Sequence, residues 1–286
     1  MLASLDNMDL KEIIEQKILV SAPGVFDPLS ARVAESCGAG TMYMSGYGVS
    51  ARLLGKPDAG LVSYREMVDR VRAICEVTSA PLIADADTGF GGLANVKQTV
   101  QGYEAAGASA IQLEDQEFPK RCGHTKNRSV IPTDDMVRKI RVATESRSTD
   151  RFLIIARTDS RTGLGLDEAL RRSEAYINGG ADILFVESPE SVDEMKVIAE
   201  TFPETPKLVN IVGGGRTPVL GDKALEELGY QIVIHPIYLL GAAVQAMQQA
   251  ASSLILSGEE SKKVTGLDDL NALVDFPALW ALDEME

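Results

Sequence analysis

The sequence predicts an α/β fold: a single (β/α)₈ TIM barrel with a C-terminal helical extension. Three observations carry that expectation. Eight short runs of strand character recur along the chain, separated by stretches of helical periodicity. Most of the runs are continuously apolar, as parallel strands covered on both faces are. No Pro/Gly/Ser-rich linker divides the 286 residues, a length that suits one barrel of about 250 residues and a tail. A doubly wound sheet would leave strands unplaced. No GxGxxG follows the first run, and Gly213-Gly214-Gly215 lacks the spacing of a dinucleotide loop.

In order, Ile18–Ala22 is the first expected strand, followed by a helix over Pro28–Cys37 with Gly38 as its C-terminal cap. Thr41–Ser45 is the second strand and Tyr64–Val77 the next helix. Leu82–Asp85 follows, then Leu93–Ala106, closed by Gly107. Ala110–Glu114 and Phe152–Arg157 flank a helix over Thr133–Ser146. Leu166–Asn178, stopped by Gly179-Gly180, leads to Ile183–Glu187. Val192–Thr201, Lys207–Asn210, Asp222–Leu228 with Gly229, and Gln231–His235 complete the alternation. Residues 1–240 form the expected barrel and 241–286 its extension. Leu239–Leu256, rich in Ala and Gln, and Leu267–Leu282, which holds the single Trp280, are more apolar than one barrel can cover. They are expected to pack against a neighbouring subunit.

Composition excludes several classes. Apolar and charged contents of 45% and 24% are those of an ordinary globular protein. A net charge of −14 disfavours nucleic acid and anionic membranes, both of which reward basic patches. Cys37, Cys75 and Cys122 form neither a disulfide framework nor a zinc pattern, which favours a reducing compartment. No apolar run reaches the roughly 18 residues of a membrane span. Met1–Asp6 carries an acid where a signal peptide carries base, so the expected location is cytoplasmic.

Polar residues at the C-terminal ends of barrel strands read as catalytic. Every expected strand except the first ends on one: Ser45, Asp85 with Asp87, Glu114 with Asp115, Arg157 with Asp159, Glu187, Asn210 and His235. The alternation in Asp85-Ala86-Asp87 brings two carboxylates to one face. Together with Glu114 they suit a hard cation, Mg²⁺ or Mn²⁺, although Asp-x-Asp also caps turns. Cys122 follows Lys120-Arg121, and nearby cations lower a thiol pKa toward neutrality, as a general acid requires. Cys37 and Cys75 fall in helical stretches and are expected in the core. Arg157 can clamp a carboxylate or pair with Asp159 or Glu187, and His235 can line the site or sit in the barrel core.

Several segments resemble one family. Ala22-Pro23-Gly24-Val25-Phe26-Asp27, Met44-Ser45-Gly46-Tyr47-Gly48, Leu54-Gly55-Lys56-Pro57-Asp58, Asp85 to Gly92, Glu114-Asp115-Gln116, Lys120-Arg121-Cys122-Gly123-His124 and Ala156-Arg157-Thr158-Asp159 are similar to the isocitrate lyase/phosphoenolpyruvate mutase superfamily. The likeness implies a Mg²⁺-binding barrel, usually tetrameric, with a C-terminal helix swapped between subunits. The KRCGH loop resembles that of the carbon–carbon lyases, in which the cysteine protonates the enolate formed on cleavage. By position, Tyr43, Ser45, Gly46 and Tyr47 would hold the keto-acid end, with Gly123 and His124 also at the substrate. Asp85 and Asp87 would hold the metal, partly through water, supported by Asp58 and Glu114. Arg157 would bind a carboxylate, while Glu187 and Asn210 orient the substrate.

The departures bear on specificity. Where 2-methylisocitrate lyases place arginines for a third carboxylate, this chain has Gly241 and, in the tail, Leu267-Asp268-Asp269. Losing such a buried partner costs about 2–5 kcal/mol. Lys262 or Lys263 could replace the charge. The expected activity is Mg²⁺- or Mn²⁺-dependent cleavage of a 2-alkylmalate-type dicarboxylate, such as 2,3-dimethylmalate, to an α-keto acid and a carboxylic acid. Alternatives are 2-methylisocitrate lyase, oxaloacetate hydrolase and phosphonomutase. A non-catalytic sensor or scaffold is a further reading, disfavoured by Cys122 standing with Asp85 and Asp87.

Overall fold

The computed structural model describes residues 8–123, 125, 128–261 and 263–285. His124 and Lys262 lie outside the described residues. Helix α1 (Leu10–Glu15) precedes β1 (Val20–Val25), and α2 (Pro28–Ser36) leads to β2 (Met42–Met44). Helices α3 (Gly46–Leu54) and α4 (Tyr64–Cys75) lead to β3 (Leu82–Asp85), and α5 (Leu93–Ala105) to β4 (Ala110–Glu114). After α6 (Thr133–Ser146) comes β5 (Leu153–Thr158), then α7 (Ser160–Leu164), α8 (Leu166–Asn178) and β6 (Ile183–Val186). Helix α9 (Val192–Thr201) leads to β7 (Lys207–Asn210), and α10 (Asp222–Glu227) to β8 (Ile232–His235). Helices α11 (Tyr238–Ser257), α12 (Leu267–Leu273) and α13 (Phe276–Asp283) follow.

All neighbouring strands pair in parallel and β8 returns to β1, closing the expected barrel. Inside it, Ile83, Leu153, Ile155, Phe185 and Ile232 meet Leu10 and Ile13, so α1 plugs the N-terminal end. A larger core lies between the sheet and the surrounding helices. Local chemistry sets several boundaries. Asp27 accepts from Ser30 N at 2.8 Å, and the Ser30 hydroxyl answers at Asp27 N, a capping box with Pro28 in the first turn. Ser63 and Glu66 form the same arrangement at α4.

Several features depart from expectation. β1 runs through Pro23-Gly24 to Val25 because these residues pass beside β8. A Cβ on Gly24 would stand 2.3 Å from Pro236 O. Gly46-Tyr47-Gly48 opens α3, a helix outside those expected from sequence, capped by the Ser45 hydroxyl, which accepts from Gly48 N at 3.1 Å. The tail segment over Leu267–Leu282 forms two helices, divided where Asp275 turns left-handed at φ 67°. Cys37 is exposed at the end of α2, outside the core, while Cys75 is partly buried and its thiol is pushed up to about 11.

The expectation that nothing in the chain is long enough to span a membrane is also corrected. Helix α11 is long and apolar enough by length and composition, because its Gln and Ser residues interrupt the apolar run without adding charge. None of α11, α12 or α13 contains a buried residue. Ile255 and Leu256 are 80% and 86% exposed. Phe276 and Trp280 lie side by side, ring centroids 5.7 Å apart, among the exposed apolar residues of α13.

Candidate active site at the C-terminal rim

A cavity of about 150 Å³ lies over the C-terminal ends of the strands. Tyr43, Asp85, Glu114, Arg157, Glu187 and Asn210 line its strand side, with Cys122 and Gly123 from the β4–α6 loop. Ser45, Tyr47 and Asp58 also border it. Most of the expected rim residues are thus brought together. Asp115 is not among them. Its carboxylate accepts from Thr158, Arg172 and Tyr176 at 2.8, 3.0 and 2.7 Å, a structural anchor behind the sheet. His235 is half-buried beside the cavity wall, not on it, and burial lowers its pKa.

The acidic pair meets by a different route from strand alternation. β3 ends at Asp85, and Asp87 adopts a left-handed φ of 49°, its amide donating to Asp85 Oδ1 at 3.0 Å. Asp85 Oδ2 accepts from Gly46 N at 3.2 Å. Lys120 does not serve the thiol, as the sequence suggested. Its buried ammonium lies 2.6 Å from Asp58 Oδ1 and 2.7 Å from Asp87 Oδ1. Burial lowers the Lys120 pKa, but Asp87, Asp85 and Asp58 overcome it and keep the lysine charged. Burial together with the neighbouring Asp85 and Asp58 charges pushes Asp87 up to about 7 against the pull of Lys120. Negative charge therefore exceeds positive charge here.

Arg157 is a hub. Its Nη1 lies 3.2 Å from Glu114 Oε2 and its Nη2 lies 3.4 Å from Glu187 Oε2. Nε and Nη2 each meet the Asp159 carboxylate at 2.9 Å. Asn210 Nδ2 donates to Glu187 Oε2 at 3.3 Å, fixing that carboxylate from β7. Glu114 Oε1 is buried with no hydrogen-bond partner, and burial raises the Glu114 pKa well above the usual range despite Arg157.

That orphaned oxygen and the all-oxygen donor set fit a hard cation. Among the described residues no three carboxylates already converge at ligand spacing. Lys120 occupies the place between Asp58 and Asp87. Asp85 and Glu114 remain on the cavity side, so most of a cation's shell would be water or substrate oxygen, as Mg²⁺ prefers.

Gln112 escaped the sequence reading. It is fully buried in β4, donates to Asp85 Oδ1 at 3.3 Å and accepts from Tyr43 Oη at 2.8 Å, linking β2, β3 and β4 beneath the cavity. The available signal was an amide inside an otherwise apolar strand. The β4–α6 loop starts as a short hairpin, Glu117 N donating to Ser129 O at 2.9 Å. Gln116 clasps Arg121, its amide contacting the backbone O and N at 2.8 and 2.9 Å. Ser188, buried at a left-handed φ of 58°, donates to Gly123 O at 3.2 Å and seats the loop.

A (β/α)₈ barrel with an acidic rim, a buried arginine and a thiol-bearing loop above it defines an enzyme of oxygen-rich carbon acids. Residues 10–255 match the family model described as phosphoenolpyruvate phosphomutase, and the chain belongs to that family. It is 50% identical to 2,3-dimethylmalate lyase of Eubacterium barkeri over 83% of this chain and 82% of the relative. It is 39% identical to 2-methylisocitrate lyase of Aeropyrum pernix over 88% and 80%. A solved phosphonopyruvate hydrolase in complex with oxalate and Mg²⁺ superposes with a TM-score of 0.87 at 31% identity, covering 96% of each chain. Within the family the chain is a carbon–carbon lyase.

Proposed function

We propose that this lyase cleaves a 2-alkylmalate-type dicarboxylate, with 2,3-dimethylmalate as the model substrate, in a Mg²⁺- or Mn²⁺-dependent reaction. The observation that carries this reading is the division of the cavity. One side is the charged rim. The other is an apolar wall of Val212, Ile234, Pro236 and Ile237 at the ends of β7 and β8. Such a wall matches alkyl substituents and leaves a further carboxylate desolvated without a partner. Of the lining cations, Lys120 is shared between Asp58 and Asp87 and Arg157 among Glu114, Asp159 and Glu187, so little positive charge is left over for a third substrate carboxylate. The 50% identity to 2,3-dimethylmalate lyase supports the same choice.

In this mechanism the α-keto-acid end sits against the α3 N-terminus, where the Ser45 hydroxyl and Tyr47 supply donors. The carboxylate on the other fragment faces Arg157. When bound, Mg²⁺ held by Asp85 and Glu114 through water supplies electrostatic stabilisation at the hydroxyl that becomes the keto group. The hydroxyl proton passes to a carboxylate of the acidic rim. Its electron pair forms the new C=O as the C2–C3 bond breaks. The C2–C3 pair moves onto C3 and into the adjoining carboxylate. Cys122 delivers its proton to C3, releasing the smaller acid, and is reprotonated from the rim. Glu187 and Asn210 hold Arg157 and the leaving fragment in line.

The same reading includes a cytoplasmic homotetramer in which the exposed α11–α13 segment is exchanged between subunits. A coupled assay of keto-acid release over malate, 2,3-dimethylmalate, 2-methylisocitrate and oxaloacetate tests the substrate. kcat/KM on 2,3-dimethylmalate should exceed that on 2-methylisocitrate by about 100-fold, roughly 2.7 kcal/mol. Equal efficiencies would replace the dicarboxylate reading with a tricarboxylate one, with Lys263 as the first cation to examine.

A further inference from the structure

Gln112 is fully buried behind the cavity, yet both side chains it holds, Tyr43 and Asp85, line that cavity. It pairs with Asp85 across the β3–β4 ladder, and its backbone O accepts from Ala86 N at 3.0 Å. Its side-chain amide can satisfy its neighbours in one orientation only. Asp85 Oδ1, a carboxylate oxygen, accepts, so the amide nitrogen faces it at 3.3 Å. The amide oxygen therefore faces Tyr43, and the phenol gives its single proton to Gln112 at 2.8 Å. Tyr43 Oη is left with lone pairs alone for the cavity.

Asp85 is clamped at the same time. Oδ1 accepts from Gln112 and from Asp87 N at 3.0 Å, while Oδ2 accepts from Gly46 N at 3.2 Å. Strand β4, the turn after β3 and the first turn of α3 thus fix one carboxylate. Tyr43 and Asp85 both offer acceptors. Water bound to a hard cation gives its lone pair to the metal and points its hydrogens outward, so it seeks acceptors. A keto or carboxylate oxygen brings no proton and gains nothing from Tyr43.

We propose that Gln112 is a positioning residue for the divalent cation: by taking the Tyr43 proton and clasping Asp85, it makes the two into acceptors for the cation's bound water. Tyr43 then serves the metal, not the keto-acid end to which the family resemblance assigns it. The inference rests on the reading that a hard cation sits against Asp85.

The test uses metal-free, full-length enzyme and Mn²⁺, with the free ion counted by electron paramagnetic resonance. Gln112→Met nearly keeps the side-chain volume and removes both hydrogen bonds. It should weaken Mn²⁺ binding by about tenfold, and Tyr43→Phe by about threefold. The double variant should match Gln112→Met alone, because Tyr43 acts through the proton that Gln112 takes. In Gln112→Met the Mn²⁺ concentration for half-maximal keto-acid release should rise by more than kcat falls. Wild-type Mn²⁺ affinity in folded Gln112→Met, even with a lowered melting temperature, would make the residue structural and overturn the proposal. A Tyr43→Phe enzyme that keeps its Mn²⁺ affinity and loses malonate binding would also overturn it, returning Tyr43 to the substrate. If Gln112→Met does not fold, Tyr43→Phe decides by the same comparison. A wild-type enzyme that binds no Mn²⁺ removes the cation reading and this inference with it, whereas unaffected variants of a Mn²⁺-binding enzyme remove the inference alone.

Discussion

Gly123 stands so close to Arg157 that a Cβ on it would lie 2.4 Å from Arg157 Nη2. The same Cβ would stand 2.7 Å from Glu187 Cδ. Neither neighbour can yield, because Arg157 is tied to Asp159 and Glu114 while Asn210 holds Glu187. Glycine here lets the thiol-bearing loop touch the rim. Gly123→Ala should therefore lift the loop and lower kcat/KM by about 100-fold, near 2.7 kcal/mol. The melting temperature should stay within a few degrees, since the loop adds little to the core. Unchanged kinetics in this variant would show that the loop need not be seated for turnover.

Cys122→Ser should abolish cleavage while leaving malonate affinity and the fold intact. A hydroxyl of far higher pKa cannot deliver the proton to the carbanion. Thiol labelling should separate the cysteines. The exposed Cys37 should react first, and Cys75, with its thiol pushed up to about 11 by burial, should stay inert at neutral pH. Wild-type turnover in Cys122→Ser would make the thiol structural.

Metal removal should silence the enzyme. Excess chelator should drop keto-acid release to background, and added Mg²⁺ or Mn²⁺ should restore it, whereas Zn²⁺ should serve poorly at an all-oxygen site. Asp85→Asn should raise the Mg²⁺ concentration needed for half activity by at least about tenfold, because it halves the anionic character on the cavity side. Full turnover in chelator would end the metal role.

Truncation after Ser253 should lower the oligomeric state in light scattering. Leu254, Ile255 and Leu256 expose apolar surface, as do Leu279 and Trp280 in α13. A lone barrel leaves these apolar side chains uncovered. A wild-type chain that stays monomeric at micromolar concentration would refute the assignment.

The sequence made the barrel readable because parallel strands buried on both faces are short apolar words between helical periods. Leu82–Asp85, Ala110–Glu114 and Lys207–Asn210 emerge with the expected bounds. Pro23-Gly24 misled, since both residues usually stop a strand, whereas here they let β1 pass close to Pro236. Gly46 and Gly48 masked α3 for the reason that glycine lowers helix propensity, while the Ser45 cap and Asp85 contact pin that first turn. At the site, residue type at a strand end was a sufficient signal for Asp85, Glu114, Arg157, Glu187 and Asn210. Partnership was not. Lys120 spanning Asp58 and Asp87, and Arg128 reaching Asp159, join positions that only the fold makes neighbours.

The two faces of the cavity are borne by opposite arcs of the barrel. The charged arc from β2 to β6 is cross-tied through Gln112 and Arg157, whereas Val212 and Ile237 stand on loops free of those ties. Mutational drift can therefore rewrite the greasy wall one residue at a time without disturbing proton transfer. Exchanging one organic acid for another then asks for substitutions in two loops and leaves the acid–base chemistry where it stands.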